Sequence, residues 1–466
     1  MQSIASENDV YRAIDNGRST SRMKWIWILG LGGVFFEAYS GAALATGLAP
    51  LTEQLQLSTT EVSIITSTYM VLAVLLCPLA GSLADRFGRI PILISAKVIA
   101  CASMVIGLAA PNFEILLASR LLAGIAWAMD FGVVLAYIAE FLPRRHQRKL
   151  SRWQGVWYVA TTANLLIAFL IYQMDVGLDI WRYLLGTGAI IAALLAVLQF
   201  LLLPESPRWL ASKGRYVESV KALKIVYHTD AVAVEGKSAG DGPAIQAPGF
   251  IRGTRELFSP PYLGRTTLST VTFAAQALQY YAVGWYLPII AFRLFGESFE
   301  AATLGAAVFN AVGIAGGFAA AGCYKVLGIR RAVRIGFACC AAVLIVFGLA
   351  FDNLPLWAAI GLPTMFILFH STLAASGGAA FSALAFPSHL RGLGMGFATT
   401  ACNIGAATGL FVFPFLQETL GEGGAILATA LVPLVGLAVA TLIRWDPEKD
   451  LEADDTSEDL VPTPVH

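Results

Sequence analysis

Charge is in short supply: Asp, Glu, Lys and Arg make up 13% of 466 residues, against 57% hydrophobic ones. A water-soluble fold of this size needs polar groups over its surface, so that class is excluded and the solvent is lipid. A mean hydropathy of +0.69 agrees. Basic excess is lacking too, since 31 Lys and Arg balance 31 Asp and Glu, and nucleic acid is removed as a partner. Histidine occurs at 146, 228, 370, 389 and 466, with no HExxH or GxSxG pattern. No metal centre, nucleophile with its base, or cofactor is implied, and no enzyme is expected. Six cysteines lie in or beside apolar segments without CxxC or a paired extracellular pattern, the setting of free buried thiols. Residues 1–24 are polar and no small-residue cleavage site follows a short apolar region, so they read as a cytoplasmic tail.

What is present in quantity is the long apolar run. A helix needs about 20 mostly apolar residues to cross the hydrocarbon. Such windows fall at 25–49, 62–84, 90–110, 113–139, 153–173 and 182–203, then at 267–291, 302–324, 332–351, 356–385, 393–417 and 422–443. Between the two sets lies a hydrophilic stretch containing the Gly-, Ala-, Ser- and Pro-rich segment 234–249, which reads as a flexible linker. The reading is an all-α membrane protein of twelve transmembrane helices in two six-helix bundles. Its parts are an amino-terminal bundle at 25–203, a cytoplasmic loop at 204–265, a carboxy-terminal bundle at 266–444 and an acidic cytoplasmic tail at 445–466.

Orientation follows from the basic residues. Of the 31 Lys and Arg, Lys97 and Arg120 fall within apolar segments, and Arg182 and Arg293 occupy loops on the face opposite the amino terminus. All others lie on one side, which the positive-inside rule makes cytoplasmic, together with both termini.

The loop between spans two and three reads Gly81-Ser-Leu-Ala-Asp85-Arg86-Phe-Gly88-Arg89-Ile90. Two glycines permit close helix approach and a tight turn, while the aspartate can cap a helix or pair with an arginine. On these residues the chain resembles the major facilitator superfamily, whose signature G-x-x-x-D-[RK]-x-G-[RK]-[RK] it matches up to Arg89. Further motifs resemble sugar porters and the metabolite:proton and phosphate:proton symporters. They are Pro204-Glu205-Ser206-Pro207-Arg208, the run from Arg120 through Gly124 and Asp130 to Glu140, and Phe386-Pro387-x-x-x-Arg391 after an unmatched Leu384. The resemblance implies the major facilitator fold and a cytoplasmic gate of Gly81, Asp85, Arg86, Gly88, Arg89, Glu140, Arg144, Glu205, Arg208 and Arg391. Departures are Lys325 in place of an aspartate, Leu384 in place of a glutamate and Gln147 in place of an arginine. The carboxy-half latch is therefore expected to be the weaker.

Each charge at mid-helix costs about 2.5–3.5 kcal/mol and asks for a reason. Glu37 sits about 18 Å from either end of span one, and Arg120 and Asp130 lie about 15 Å apart along span four. Glu37, Asp130 and Arg120 are the proton-coupling candidates, because a carboxyl whose cationic partner comes and goes can load and release a proton. The alternative is a fixed pair between these acids and Arg120. Lys97, about two turns from the cytoplasmic edge, is expected to snorkel. The segment Phe35-Phe36-Glu37-Ala38-Tyr39-Ser40 resembles F-F-x-D-x-Y-D of the symporters, with Ser40 standing where they hold a second acid.

The carboxy half has fewer charges and more aromatics. Gln276 and Tyr280 share a face of span seven, with Gln279 and Trp285 nearby. With Tyr39, Asn164, His370 and Asn403 they are the substrate-binding candidates, although a lone polar residue can equally hydrogen-bond a neighbouring helix. Ala282 occupies the position of a sugar-porter asparagine, and the resemblance in this helix is nearer to metabolite:proton symporters. The expected activity is secondary transport of a small polar organic solute, an organic acid, sugar or polyol, in symport with protons. Proton-driven efflux of an amphipathic compound and facilitated diffusion are the alternatives. Expected partners are the solute, protons and the lipid bilayer, and the expected form is a monomer in a bacterial inner membrane.

Overall fold

A computed structural model describes residues 2–143, 152–233, 250–296, 298–386 and 388–446. Arg144 and the linker 234–249 lie outside them, as do 447–466 of the tail and the Arg391 side chain. Among the described residues, ten stretches are long and apolar enough to cross a membrane. One of them, 393–442, is two spans joined at a bend where Gly421 has φ 70°. Span seven is missing from that set because its helix is interrupted: Pro260–Gln279 passes through a π-turn, Tyr280–Gly284, into Leu287–Leu294. With these two adjustments the structure carries the twelve crossings expected.

Local chemistry sets the helix ends. Ser58 and Glu61 form a capping box before Thr59–Phe87 (span two), and Asn112 Oδ1 accepts from the Ile115 amide at the start of Phe113–Glu140 (span four). Apolar side chains that would be buried in a soluble protein stay open, including Leu75, Phe200, Trp357 and Leu442, each more than 60% exposed. They make the lipid-facing surface.

The chain divides into two compact units, residues 1–244 with 285–317 and residues 245–284 with 318–466. Within the first, Ser21–Thr46 (span one) packs on span four, Trp153–Tyr172 (span five) and Ile180–Leu202 (span six). Arg89–Leu108 (span three) packs on spans four and six. Within the second, Pro260–Gln279 packs on Ala375–Leu384, on the helix 388–429 and on Leu431–Leu442, which belong to spans ten, eleven and twelve. Ile329–Ala350 (span nine) packs on spans ten, eleven and twelve. The pairing of one with four, five and six thus recurs as seven with ten, eleven and twelve. Gly88 and Gly328 repeat the pattern at finer scale: each joins two consecutive spans with positive φ, 109° and 76°.

The segment read as a tail is folded. Gln2–Ile4 pairs in parallel with Ala231–Ala233, and Glu7–Asn16 begins with a Ser6–Asp9 capping box. That helix packs on Pro207–Ser212 and Tyr216–Val226, and the Arg208 guanidinium lies 4.6 Å over the Tyr11 ring. The sequence of this segment is polar because one face only is buried, through Val10, Ala13 and Ile14.

Candidate functional site

Three charged side chains from three helices of the first unit meet in its interior. Lys97 of span three is fully buried, hydrogen-bonds Asp130 Oδ2 of span four and stands 3.6 Å from Glu37 Oε1 of span one. Its ammonium also lies 4.9 Å from the Phe36 ring centroid. This corrects the expectation that Lys97 snorkels. Consecutive spans three and four run antiparallel, so Lys97, eight residues into its helix, and Asp130, ten from the end of its own, reach the same depth. Gly33 of span one faces Asp130, where a Cβ would stand 3.3 Å from Oδ2.

Arg120 is the second correction. It forms no ion pair with Asp130 or Glu37 among the described residues, and its Nε and Nη2 reach no hydrogen-bond partner although the residue is 2% exposed. It lines a small cavity with Glu37, Ser40, Gly41, Tyr69 and Trp127. Gly124, one turn further along span four, lets span two close in: a Cβ there would lie 2.7 Å from Leu72 Cβ and 3.0 Å from Tyr69 Cα.

Aromatic rings continue the cavity wall. Trp127 stacks on Phe131 at 5.3 Å and meets Tyr69 edge-on at 5.6 Å, and Trp153 and Trp157 extend the group. The Trp285 indole Nε1 also has no hydrogen-bond partner among the described residues and lies 3.5 Å from the position of a Gly41 Cβ. Tyr286 donates to Thr66 at 3.1 Å, and Thr161 of span five donates to Asn310 at 3.0 Å. Sequence reasoning passed over Tyr69, Trp127 and Asn310. An aromatic or a single amide in an apolar helix carries no spacing signal, and only the helix pairing brings these residues together.

The remaining candidates divide between the units. Tyr39 and Thr187 share a hydrogen bond of 2.7 Å, and Asn164 accepts from Thr46 at 3.0 Å. In the second unit, Gln279 meets His370 Nδ1 at 3.1 Å and Tyr280 stacks on the His370 ring at 5.0 Å. Gln276 lies 3.6 Å from Cys402 Sγ, and Asn403 is half-buried on the same helix as Cys402. The π-turns at Tyr280–Gly284 and His370–Ala374 place these rings side by side, which regular 3.6-residue periodicity does not indicate.

At the end of spans two and four the latch residues converge. Arg89 donates to Glu140 Oε1 from Nε at 3.1 Å and Nη2 at 2.8 Å, and from Nη1 to Asp85 at 2.6 Å. Glu205 pairs with no arginine among the described residues; it accepts from the Arg89 and Ile90 amides at 3.0 and 3.2 Å and caps span three. Burial raises the Glu205 pKa against the effect of these amides, and Glu140 adds to the rise. Arg208 likewise finds the Leu142 carbonyl, at 3.0 Å, in place of a carboxylate. Arg86 is exposed over Phe87, and a Cβ on Gly81 meets nothing within 4 Å, so the close approach expected at Gly81 is absent among the described residues. In the second unit Arg330 Nη1 and Nη2 bind the Arg444 and Ile443 carbonyls at 3.1 and 2.7 Å after span twelve.

Residues 23–443 match the family described as Sugar (and other) transporter. The chain belongs to that family. It is a multi-pass integral membrane transporter of the major facilitator fold, and not an enzyme. It is 29% identical over 372 residues to the inner membrane metabolite transport protein YgcS of Escherichia coli (strain K12), spanning 79% of this chain and 78% of that one. The arabinose-proton symporter of Bacillus subtilis (strain 168) is 25% identical over 381 residues, 79% of this chain and 80% of its own. Among solved structures, the partially occluded inward-open xylose transporter XylE of E. coli superposes with a TM-score of 0.72 at 17% identity, over 92% of this chain and 99% of that one. At that identity it speaks for the fold alone.

Proposed function

We propose that this transporter moves a small polar organic solute by alternating access in symport with protons, across a bacterial inner membrane with both termini in the cytoplasm. The observation that carries this reading is the buried group Glu37, Lys97 and Asp130, two carboxylates served by one ammonium. One cation cannot compensate two buried anions, so one acid gains by taking a proton. Glu37 is the acid with the longer contact to Lys97, and it opens on the cavity. The charged or titratable groups around it are Tyr69 from span two, Lys97 from span three, and Arg120 and Asp130 from span four.

A proton arriving at Glu37 releases Lys97 to Asp130 alone, which alters what holds spans one, three and four together. In this reading the amino-terminal bundle is 25–203 and the carboxy-terminal bundle 266–444, with the monomer as the working unit. Tyr39, Asn164, Gln276, Gln279, Tyr280, Trp285, His370 and Asn403 contribute to solute binding. The residues around Arg89 close the cytoplasmic side. The named relative that is a proton symporter supports the coupling, and the metabolite transport protein supports a small organic solute.

The test is uptake into liposomes. A solute that stabilises the purified protein should accumulate when the outside is made acidic, should equilibrate without accumulating when no gradient is present, and should exchange in counterflow. Equal final levels with and without the gradient would contradict symport and leave facilitated diffusion.

A further inference from the structure

Arg120 is the charge that the coupling group leaves over. Lys97 serves both carboxylates, while the Arg120 guanidinium is 2% exposed with Nε and Nη2 unpartnered among the described residues. A buried cation without acceptors is costly to hold, so its retention points to an acceptor that arrives with the cargo. The Trp285 indole N–H, 5% exposed and also unpartnered, lies against the same wall at Gly41. One buried donor, Arg120, thus lines a narrow cavity, and a second, the Trp285 N–H, stands behind its Gly41 wall. The cavity's remaining polar lining is the neutral Ser40 and Tyr69 and the Glu37 carboxyl, which also stands 3.6 Å from Lys97.

We propose that this cavity is a carboxylate subsite, in which Arg120 receives the carboxylate of a small hydroxylated monocarboxylic acid, with the Trp285 N–H at the Gly41 wall as a second donor. The proposal rests on the transport reading above and names its solute class. Charge sets the valence. With Glu37 and Asp130 ionised, the group formed with Lys97 and Arg120 is neutral. A proton on Glu37 leaves one positive charge, and one carboxylate restores neutrality. A dianion would overshoot. Proton and monoanion therefore load together, and the transport step moves no net charge from the bulk. Arginine suits the task because its planar fork meets a carboxylate with two hydrogen bonds. Ser40 leaves that fork free, whereas an acid at this position on the cavity wall would occupy it.

The test uses the purified full chain in detergent with gluconate and lactate, each against a neutral counterpart, glucose and glycerol, and with inorganic phosphate. Gluconate or lactate should raise the melting temperature and the neutral compounds should not. Arg120→Gln should weaken that binding about ten- to hundredfold, the loss of a charge-assisted bidentate contact. Arg120→Lys should fall between, and Trp285→Phe should weaken it several-fold. Should Arg120→Gln fail to fold, unchanged carboxylate binding in both other variants overturns the subsite. So does stabilisation by the neutral compounds or phosphate alone, or by no member of the set. A pH dye inside liposomes separates the two readings. Proton entry driven by glucose but not by the acids removes the subsite and keeps symport; Arg120-dependent carboxylate binding without proton entry keeps the subsite and removes symport.

Discussion

Lys97 has three partners within reach, Asp130, Glu37 and the Phe36 ring, and no exposed surface. Removing one member of a buried ion pair typically costs about 3–5 kcal/mol, because the other charge is left uncompensated. Lys97→Met should therefore lower the melting temperature sharply, and the double variant Lys97→Met/Asp130→Asn should recover much of the loss. A double variant as unstable as the single one would show that Lys97 acts mainly through packing. The acids themselves were legible in the sequence, since Glu37 and Asp130 stand out in apolar helices. Their partner was misjudged. Charge alone offers Arg120 as the alternative fixed partner, whereas equal depth in antiparallel helices selects Lys97.

Span three begins at a junction that uses the loop motif in two ways. Gly88 has φ 109° and stands in contact with the Glu205 carboxylate, so any side chain there meets both backbone strain and a clash. Glu205 in turn accepts from the Arg89, Ile90 and Ser206 amides. Glu205→Gln places an amide donor against one of those donors and should cost about 1–3 kcal/mol at neutral pH. Because burial holds the Glu205 pKa above its ordinary value, the folded state binds that proton more readily than the unfolded chain. Its contribution is greatest below about pH 4 and declines as pH rises through the raised pKa. The stability lead of the wild type over Glu205→Gln should shrink over that rise, and melting curves from pH 4 to 8 would measure it; a widening lead would contradict the assignment. Span four offers a steric counterpart. Gly124→Ala should cost about 1–3 kcal/mol by pressing on Leu72 and the Tyr69 backbone, and a neutral effect on melting would show that span two can yield. The motifs were legible as a cluster of charges and glycines. Spacing alone did not reveal that Glu205 serves as a helix cap and that Arg208 binds a carbonyl, because both depend on where the chain turns after span six.

Across the whole chain, hydropathy sufficed to count the crossings, since a lipid solvent leaves little choice but long apolar helices. The exceptions have local causes: the π-turn that interrupts span seven and the Gly421 bend that joins spans eleven and twelve without a break. The twofold repetition was visible as six runs plus six, and the helix pairings repeat it in each unit. The folded amino-terminal segment was not visible, because a short strand and a ten-residue helix bury too few apolar residues to register in a hydropathy window. Nor could the sequence bring Gly41 and Arg120 to one cavity with Trp285 against its Gly41 wall. These come from spans one, four and seven, and only packing of the first unit joins them.

Whether the Glu37 carboxyl carries the coupling proton is tested most directly by the Glu37→Gln variant in liposomes. An amide keeps the shape of the side chain and cannot release a proton. The variant should exchange labelled for unlabelled solute in counterflow at a rate near that of the wild type, yet fail to accumulate it when the outside is acidified. Accumulation at wild-type levels would contradict the claim.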